Sequence, residues 1–180
     1  MFNHRSLCDV AIRIAIVGIL AFWHTPVAAQ LPEGLGPPEK ALIEEIDGAA
    51  KLDATGRVSG IAFNRGATTS VFIRLGIMES VTALDLQFSS VTDEGLVHLR
   101  NFPSLGRLVA PVAMTDKGLA SIAEHCPHLE ELDVSFSKIT DAGMPSIAKL
   151  TALRALYLTA TDVGDVGMAH VVACQHLRCL

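Results

Sequence analysis

Aromatic side chains are scarce in this chain: one Trp, one Tyr and seven Phe among 180 residues. Proteins that hold single-stranded nucleic acid stack bases on aromatic rings and track the phosphates with cations. The cations are short as well. Fourteen Lys and Arg stand against nineteen Asp and Glu, for a formal net charge of -5, and no basic stripe runs through the sequence. Nonspecific nucleic-acid binding is therefore excluded as a reading. Also missing are G-x-S-x-G, H-E-x-x-H, a phosphate-binding glycine-rich loop, and any Ser/His/Asp set that the fold would bring together. What is abundant is apolar material, half of all residues, enough for one domain with a core of its own.

That material is periodic. Val81, Leu105, Leu129, Leu153 and Leu177 follow one another at intervals of 24 positions. Three residues after each come Leu84, Leu108, Leu132, Leu156 and Leu180. Two further on come Leu86, Ala110, Val134 and Leu158. An apolar residue returns near the tenth position as Val91, Met114 (one early), Ile139 and Val163. Alternation in L-x-L places side chains on one face, so this part of each unit is predicted to be a short strand. One unit has too little apolar surface to stand alone; stacked units pair their strands in parallel and merge their leucines into one core.

The second half of each unit has another plan: Thr92-Asp93-Glu94-Gly95-Leu96, Thr115-Asp116-Lys117-Gly118-Leu119, Thr140-Asp141-Ala142-Gly143-Met144 and Gly164-Asp165-Val166-Gly167-Met168. Thr or Asp is expected to cap the start of its own helix, where backbone N–H groups are free and the dipole favours an acid. Apolar residues then recur at helical spacing: Leu96, Leu99, Phe102; Leu119, Ile122, Cys126; Met144, Ile147, Leu150; Met168, Val171, Cys174.

These features resemble the leucine-rich-repeat family, in the helical, T-D-x-G-L-bearing subtype of ribonuclease-inhibitor and F-box-associated repeats and of planctomycete-type bacterial repeat proteins. The resemblance covers roughly residues 57–180. It implies an α/β fold: a right-handed solenoid of 24-residue repeats, parallel β-sheet on the concave face and helices on the convex face. The Asn usual after the strand in that family is replaced by Ser89, Ser137 and Thr161, whose hydroxyls can still bond loop backbone. Repeat two departs further, with a loop one residue short, a helix one longer, and Pro111 at the strand end, where a local bulge is expected.

The N-terminus reads as an export signal over residues 1–29. Arg5 and Arg13 supply positive charge, Ile14–Trp23 is a ten-residue apolar run, and Val27-Ala28-Ala29 offers small residues before Gln30. A retained anchor and a folded first helix are the alternatives. The run is too short for a stable membrane span, and Cys8 precedes it, unlike a lipoprotein cysteine. Residues 30–37 form a Pro/Gly linker. Residues 38–52 are expected to hold a capping helix, about Glu39–Ala50, with Leu42, Ile43 and Ile46 on one face. A turn at Asp53–Gly56, a degenerate first repeat through Val58, Ile61 and Phe63, and a weak helix near Val71–Met78 open the repeat domain, residues 53–180. Its last unit, Leu177–Leu180, begins a strand with no polar cap after it. A fragment of a longer array is the favoured expectation, and an end covered by a partner the other.

Several side chains invite a chemical reading. Cys126 and Cys174 share a helix-end slot two repeats apart, about 10 Å, beyond disulfide reach, so packing is expected; Cys179 remains a candidate reactive thiol. Ligands from His125-Cys126-Pro127-His128 would not converge on one metal, and one Asp per turn is too few for a calcium ladder. No metal and no cofactor are expected. The residues between the leucines form columns on the sheet face: Ala83, Arg107, Glu131, Ala155; then Asp85, Val109, Asp133, Tyr157; then Gln87, Pro111, Ser135, Thr159. From these, Asp85, Arg107, Val109, Glu131, Asp133, Tyr157 and Thr159 are the expected contact residues, Tyr157 foremost. Phe88 and Phe136, at the strand exit, are expected to pack into a spine. The function that follows is a non-catalytic, exported protein-interaction module with a protein partner and no nucleic acid. The alternatives are a substrate-recognition adaptor resembling F-box repeat proteins, or a fragment of a larger receptor or enzyme.

Overall fold

The computed structural model describes residues 49–64 and 67–180. The export signal, the linker and most of the expected capping helix lie outside the described residues. Six strands form one sheet in chain order: β1 Ala49–Leu52, β2 Val58–Ala62, β3 Ala83–Asp85, β4 Arg107–Val109, β5 Glu131–Asp133 and β6 Ala155–Tyr157. From β2 onward every pairing is parallel, and Ile61, Leu84, Leu108, Leu132 and Leu156 lie in register. A bridge from Ala155 to Cys179 continues the pattern. The 24-residue period is thus the spacing of a ladder: each return of the chain adds one strand and one leucine layer. The fold is an α/β repeat solenoid.

The end of the expected capping helix is a strand instead. Ala49–Leu52 pairs antiparallel with β2, Ala49 opposite Ala62, with an irregularity between Lys51 and Leu52. The turn that forces this is the one the sequence marks. Asp53 Oδ1 accepts from Thr55 N–H (2.7 Å), Thr55 Oγ1 (2.6 Å) and Arg57 N–H (3.1 Å), and Gly56 takes the left-handed φ of 83°. With the chain folded back there, β1 covers backbone groups that β2 would otherwise leave on an open edge. The sheet accordingly starts at Ala49, before the expected domain boundary at residue 53.

The return limbs are helical, in two forms. α1 is Thr69–Arg74, shorter and earlier than the helix expected near Val71–Met78. Repeat two holds an α-helix, α2, over Asp116–His125. Its neighbours are 3-10 helices at Gly95–Asn101 and Met144–Lys149, and the last unit passes from a short α3, Asp165–Met168, into a 3-10 turn at Ala169–Ala173. Length separates α2 from the 3-10 limbs on either side of it, though not α1, whose cap Thr68 also precedes Val81 by 13. Thr115 precedes Leu129 by 14 positions, whereas Thr92, Thr140 and Gly164 precede Leu105, Leu153 and Leu177 by 13. All limbs cross between the same two layers, and a 3-10 helix rises about 2.0 Å per residue against about 1.5 Å for α, so the shorter segments are stretched into it.

The core is continuous from Val58 and Ile61 to Leu156. Val81, Leu105, Leu129 and Leu153 form one buried layer, with Leu86, Ala110 and Val134 beside the strands and Val91, Met114 and Ile139 beyond. At its N-terminal end Phe72 packs edge-on to Phe63 (ring centres 5.7 Å apart) and stacks on Phe102 (5.8 Å). Cys126 and Cys174 are buried and free, and burial pushes the Cys126 thiol up to about 12. The bulge expected at Pro111 is not formed. The β4 register runs unshifted on both sides, and Pro111 lies just past the ladder, its carbonyl accepting from Met114 N–H.

The T-D-x-G segments lock each unit to the next. The sequence suggests that each Asp caps its own helix; the carboxylates instead reach across to the following repeat. Asp93 accepts from Thr115 N–H (3.0 Å) and Thr115 Oγ1 (2.6 Å), and Asp116 from Thr140 N–H and Oγ1, both 2.8 Å. Asp141 accepts from Gly164 N–H (2.7 Å) and Gly167 N–H (3.0 Å). The threonines do the local capping: Thr115 Oγ1 accepts from Lys117 N–H and Thr140 Oγ1 from Ala142 N–H. The glycine of the motif follows from the same geometry. A Cβ on Gly118, Gly143 or Gly167 would collide with the carboxylate of Asp93, Asp116 or Asp141.

Candidate interaction surface

Side chains that alternate with the buried leucines stand on the outer face of the sheet. Pairing puts Ala83, Arg107, Glu131 and Ala155 in one line and Asp85, Val109, Asp133 and Tyr157 in the next, as the sequence columns require. Arg107 and Glu131 meet at 3.4 Å. This pair is half exposed and adds little to stability, but it neutralises the one cation in the two lines. Tyr157, half-buried, has its phenol pushed above its ordinary value by burial first and then by the Glu131 carboxylate. It stays a neutral hydroxyl at physiological pH, able to donate and accept.

The two aspartates have structural work that the sequence reading missed. Asp85 Oδ1 accepts from Gln87 N–H and Asp133 Oδ1 from Ser135 N–H, each at 2.9 Å. Each closes the strand exit as an Asx turn. Repeat two confirms the logic by substitution at both ends: Val109 replaces the acceptor, and Pro111 removes the N–H that needed one. The signal was present in the sequence, since Asp-x-Gln and Asp-x-Ser alternate with Val-x-Pro. Val109 is only 8% exposed, so of the expected contact residues it offers least. Arg107, Glu131, Asp133, Asp85 and Tyr157 are partly accessible and Thr159 is exposed.

Asp85 carries a cost. Desolvation raises its pKa above the ordinary 3.8, against the Gln87 N–H bond that lowers it. A carboxyl with a raised folded-state pKa imposes no penalty below its unfolded value, and stability is lost as pH rises through the folded one. Asp85→Asn keeps an acceptor for Gln87 and removes the charge. It is expected to raise the urea midpoint at pH 7, with the gain shrinking as pH approaches 4. A lower midpoint at pH 7 would show that the charged hydrogen bond outweighs the burial.

Below the strand exits, Ser89, Ser137 and Thr161 bond loop backbone within their own units. Their hydroxyls donate to Leu86 O (2.7 Å), Val134 O (2.6 Å) and Leu158 O (2.8 Å). The neighbouring phenylalanines are not in a spine. Phe88 is 52% and Phe136 57% exposed, with Val112 between them also exposed. Phe136 has φ 63° and Ala160 φ 55°; a left-handed non-glycine residue costs on the order of 1 kcal/mol. Phe88 is nearly as exposed without that conformation, so the exposure belongs to the slot, and periodicity alone could not reveal it.

Among the described residues no three His, Cys, Asp or Glu side chains group as metal ligands. Among the same residues no helix is long and apolar enough to cross a membrane. Two segments, residues 78–99 and 125–148, match a family model described as Leucine Rich repeat. The fold is also similar to the crystal structure of the Arabidopsis receptor kinase HAESA LRR ectodomain in complex with an N-terminally extended IDA peptide hormone. The identity is 15% and the TM-score 0.48, over 73% of this chain and 27% of that one. The chain thus spans about a quarter of that ectodomain's length. The family model on two of its units and the one register running through the parallel strands from Leu84 to Leu156 show that the chain carries leucine-rich repeats.

Proposed function

We propose that this protein is an exported, non-catalytic interaction module that holds a protein partner on the outer face of its parallel sheet. The observation that carries the reading is the side-chain set on β4–β6: the Arg107–Glu131 pair, Asp133 and Tyr157 lie in adjacent register positions, partly accessible, above a core that needs none of them. A half-buried tyrosine beside charged groups is efficient contact material, because its ring supplies area and its hydroxyl a directed hydrogen bond. Support for export is the basic, apolar and small-residue order of residues 1–29.

Affinity capture from a cell-envelope extract tests it, with wild type beside Tyr157→Asp of equal thermal stability. A protein retained by wild type and lost at least tenfold by the variant is the expected result. Equal recovery would remove the sheet face as the binding surface.

A further inference from the structure

We infer that the partner segment is an extended peptide with alternating basic and apolar side chains, lying across the strand exits between the exposed Phe88–Phe136 ledge and the Asp85/Asp133 line; this rests on the sheet-face reading above. The middle of the strip between these borders is low, while Gln87 and Thr159 at its two ends are partly exposed and exposed. Pro111 is buried, and Ser135 in the same line is 8% exposed. Its two borders differ in chemistry. On one side stand Phe88, Val112 and Phe136, all exposed. On the other stand Asp85 and Asp133, each spending Oδ1 on a backbone N–H and leaving Oδ2 without a hydrogen bond among the described residues. Among the described residues Arg107 acts on the Asp85 carboxylate but makes its ion pair with Glu131, so the acidic border can still take a cation from outside.

An extended chain sends successive side chains to opposite sides. Laid along this strip, it would present every second side chain to the ledge and the others to the acids. Phe88 and Phe136 are two strand spacings apart, about 10 Å, or roughly three residues of extended chain. Val112 stands between them, and an aliphatic side chain of the peptide would rest against it. Phe136 strengthens the case: it is a large apolar residue, exposed, in a left-handed conformation that Asn or Gly would adopt more readily. Folding does not account for a phenylalanine there, and a ledge does.

The test uses the full chain and three octapeptides in titration calorimetry: alternating Lys and Leu, the same residues as a Lys block followed by a Leu block, and alternating Glu and Leu. The alternating Lys/Leu peptide is expected to bind at least tenfold more tightly than either other. Phe136→Asn, which suits the left-handed backbone, is expected to weaken it at least tenfold with no loss of thermal stability. Asp133→Asn keeps the Ser135 cap and is expected to weaken binding severalfold and flatten its salt dependence. No binding, equal affinity for the block peptide, or an unaffected Phe136→Asn each overturns the proposal. If that happens while Tyr157→Asp still loses its captured protein, only the partner chemistry is wrong; if both tests fail, the sheet-face reading fails with it.

Discussion

Gly143→Ala is expected to destabilise the protein by about 3 kcal/mol, and to cost less than 1 kcal/mol when Asp116 is also Ala. The Asp116 carboxylate sits against the Gly143 Cα while it holds Thr140 N–H and Oγ1. A methyl at 143 must displace that carboxylate, so the single change loses both hydrogen bonds and adds strain. Asp116→Ala alone leaves Thr140 N–H short of its partner, at about 1–2 kcal/mol. In the double variant the methyl has room, and what remains is the small preference for Gly over Ala at the residue before the 3-10 helix. The cycle should give a coupling energy of about 2 kcal/mol or more, read from urea midpoints. Additive effects would mean that the glycine is required for some other reason.

Leu132→Ala should lower stability by about 3 kcal/mol, in the range for fully buried leucines. Leu132 has no exposed surface and lies in register between Leu108 and Leu156, so repeats on both sides line the cavity it would leave. With a urea dependence of about 2 kcal/mol/M for a domain of this size, the midpoint should fall by about 1.5 M. The outward neighbours Glu131 and Asp133 make no use of that space. A shift below about 0.3 M would mean that the leucine layers are not a single cooperative core.

Both predictions rest on contacts between units, and that is where sequence reading ran short. Within a unit, local rules sufficed: alternation marked the strands, Asp53 to Gly56 marked a turn, and the hydroxyls of Ser89 and Ser137 closed theirs. Across units, the T-D-x-G motif was visible but its purpose was not, because Asp93 and Thr115 are 22 positions apart and either could have served its own helix. Asp85 and Asp133 read as surface acids; their role at the strand exit needed the turn geometry to be seen. The Ala49–Leu52 segment carried helical periodicity, and the unpaired edge of β2 overrode it.

The sequence by itself determined the repeat, the register and the identity of the leucine layers, because a period of 24 leaves one way to align five leucines on one face of a parallel sheet. It also determined which side chains stand on the opposite face. Only the tertiary structure decided how the return limbs are wound, since that depends on the distance they must cover, and how far each outward residue is exposed, since that depends on its neighbours in adjacent repeats. Val109 is covered and Phe136 is turned out for that reason: exposure is a property of the stack, and no single unit contains it.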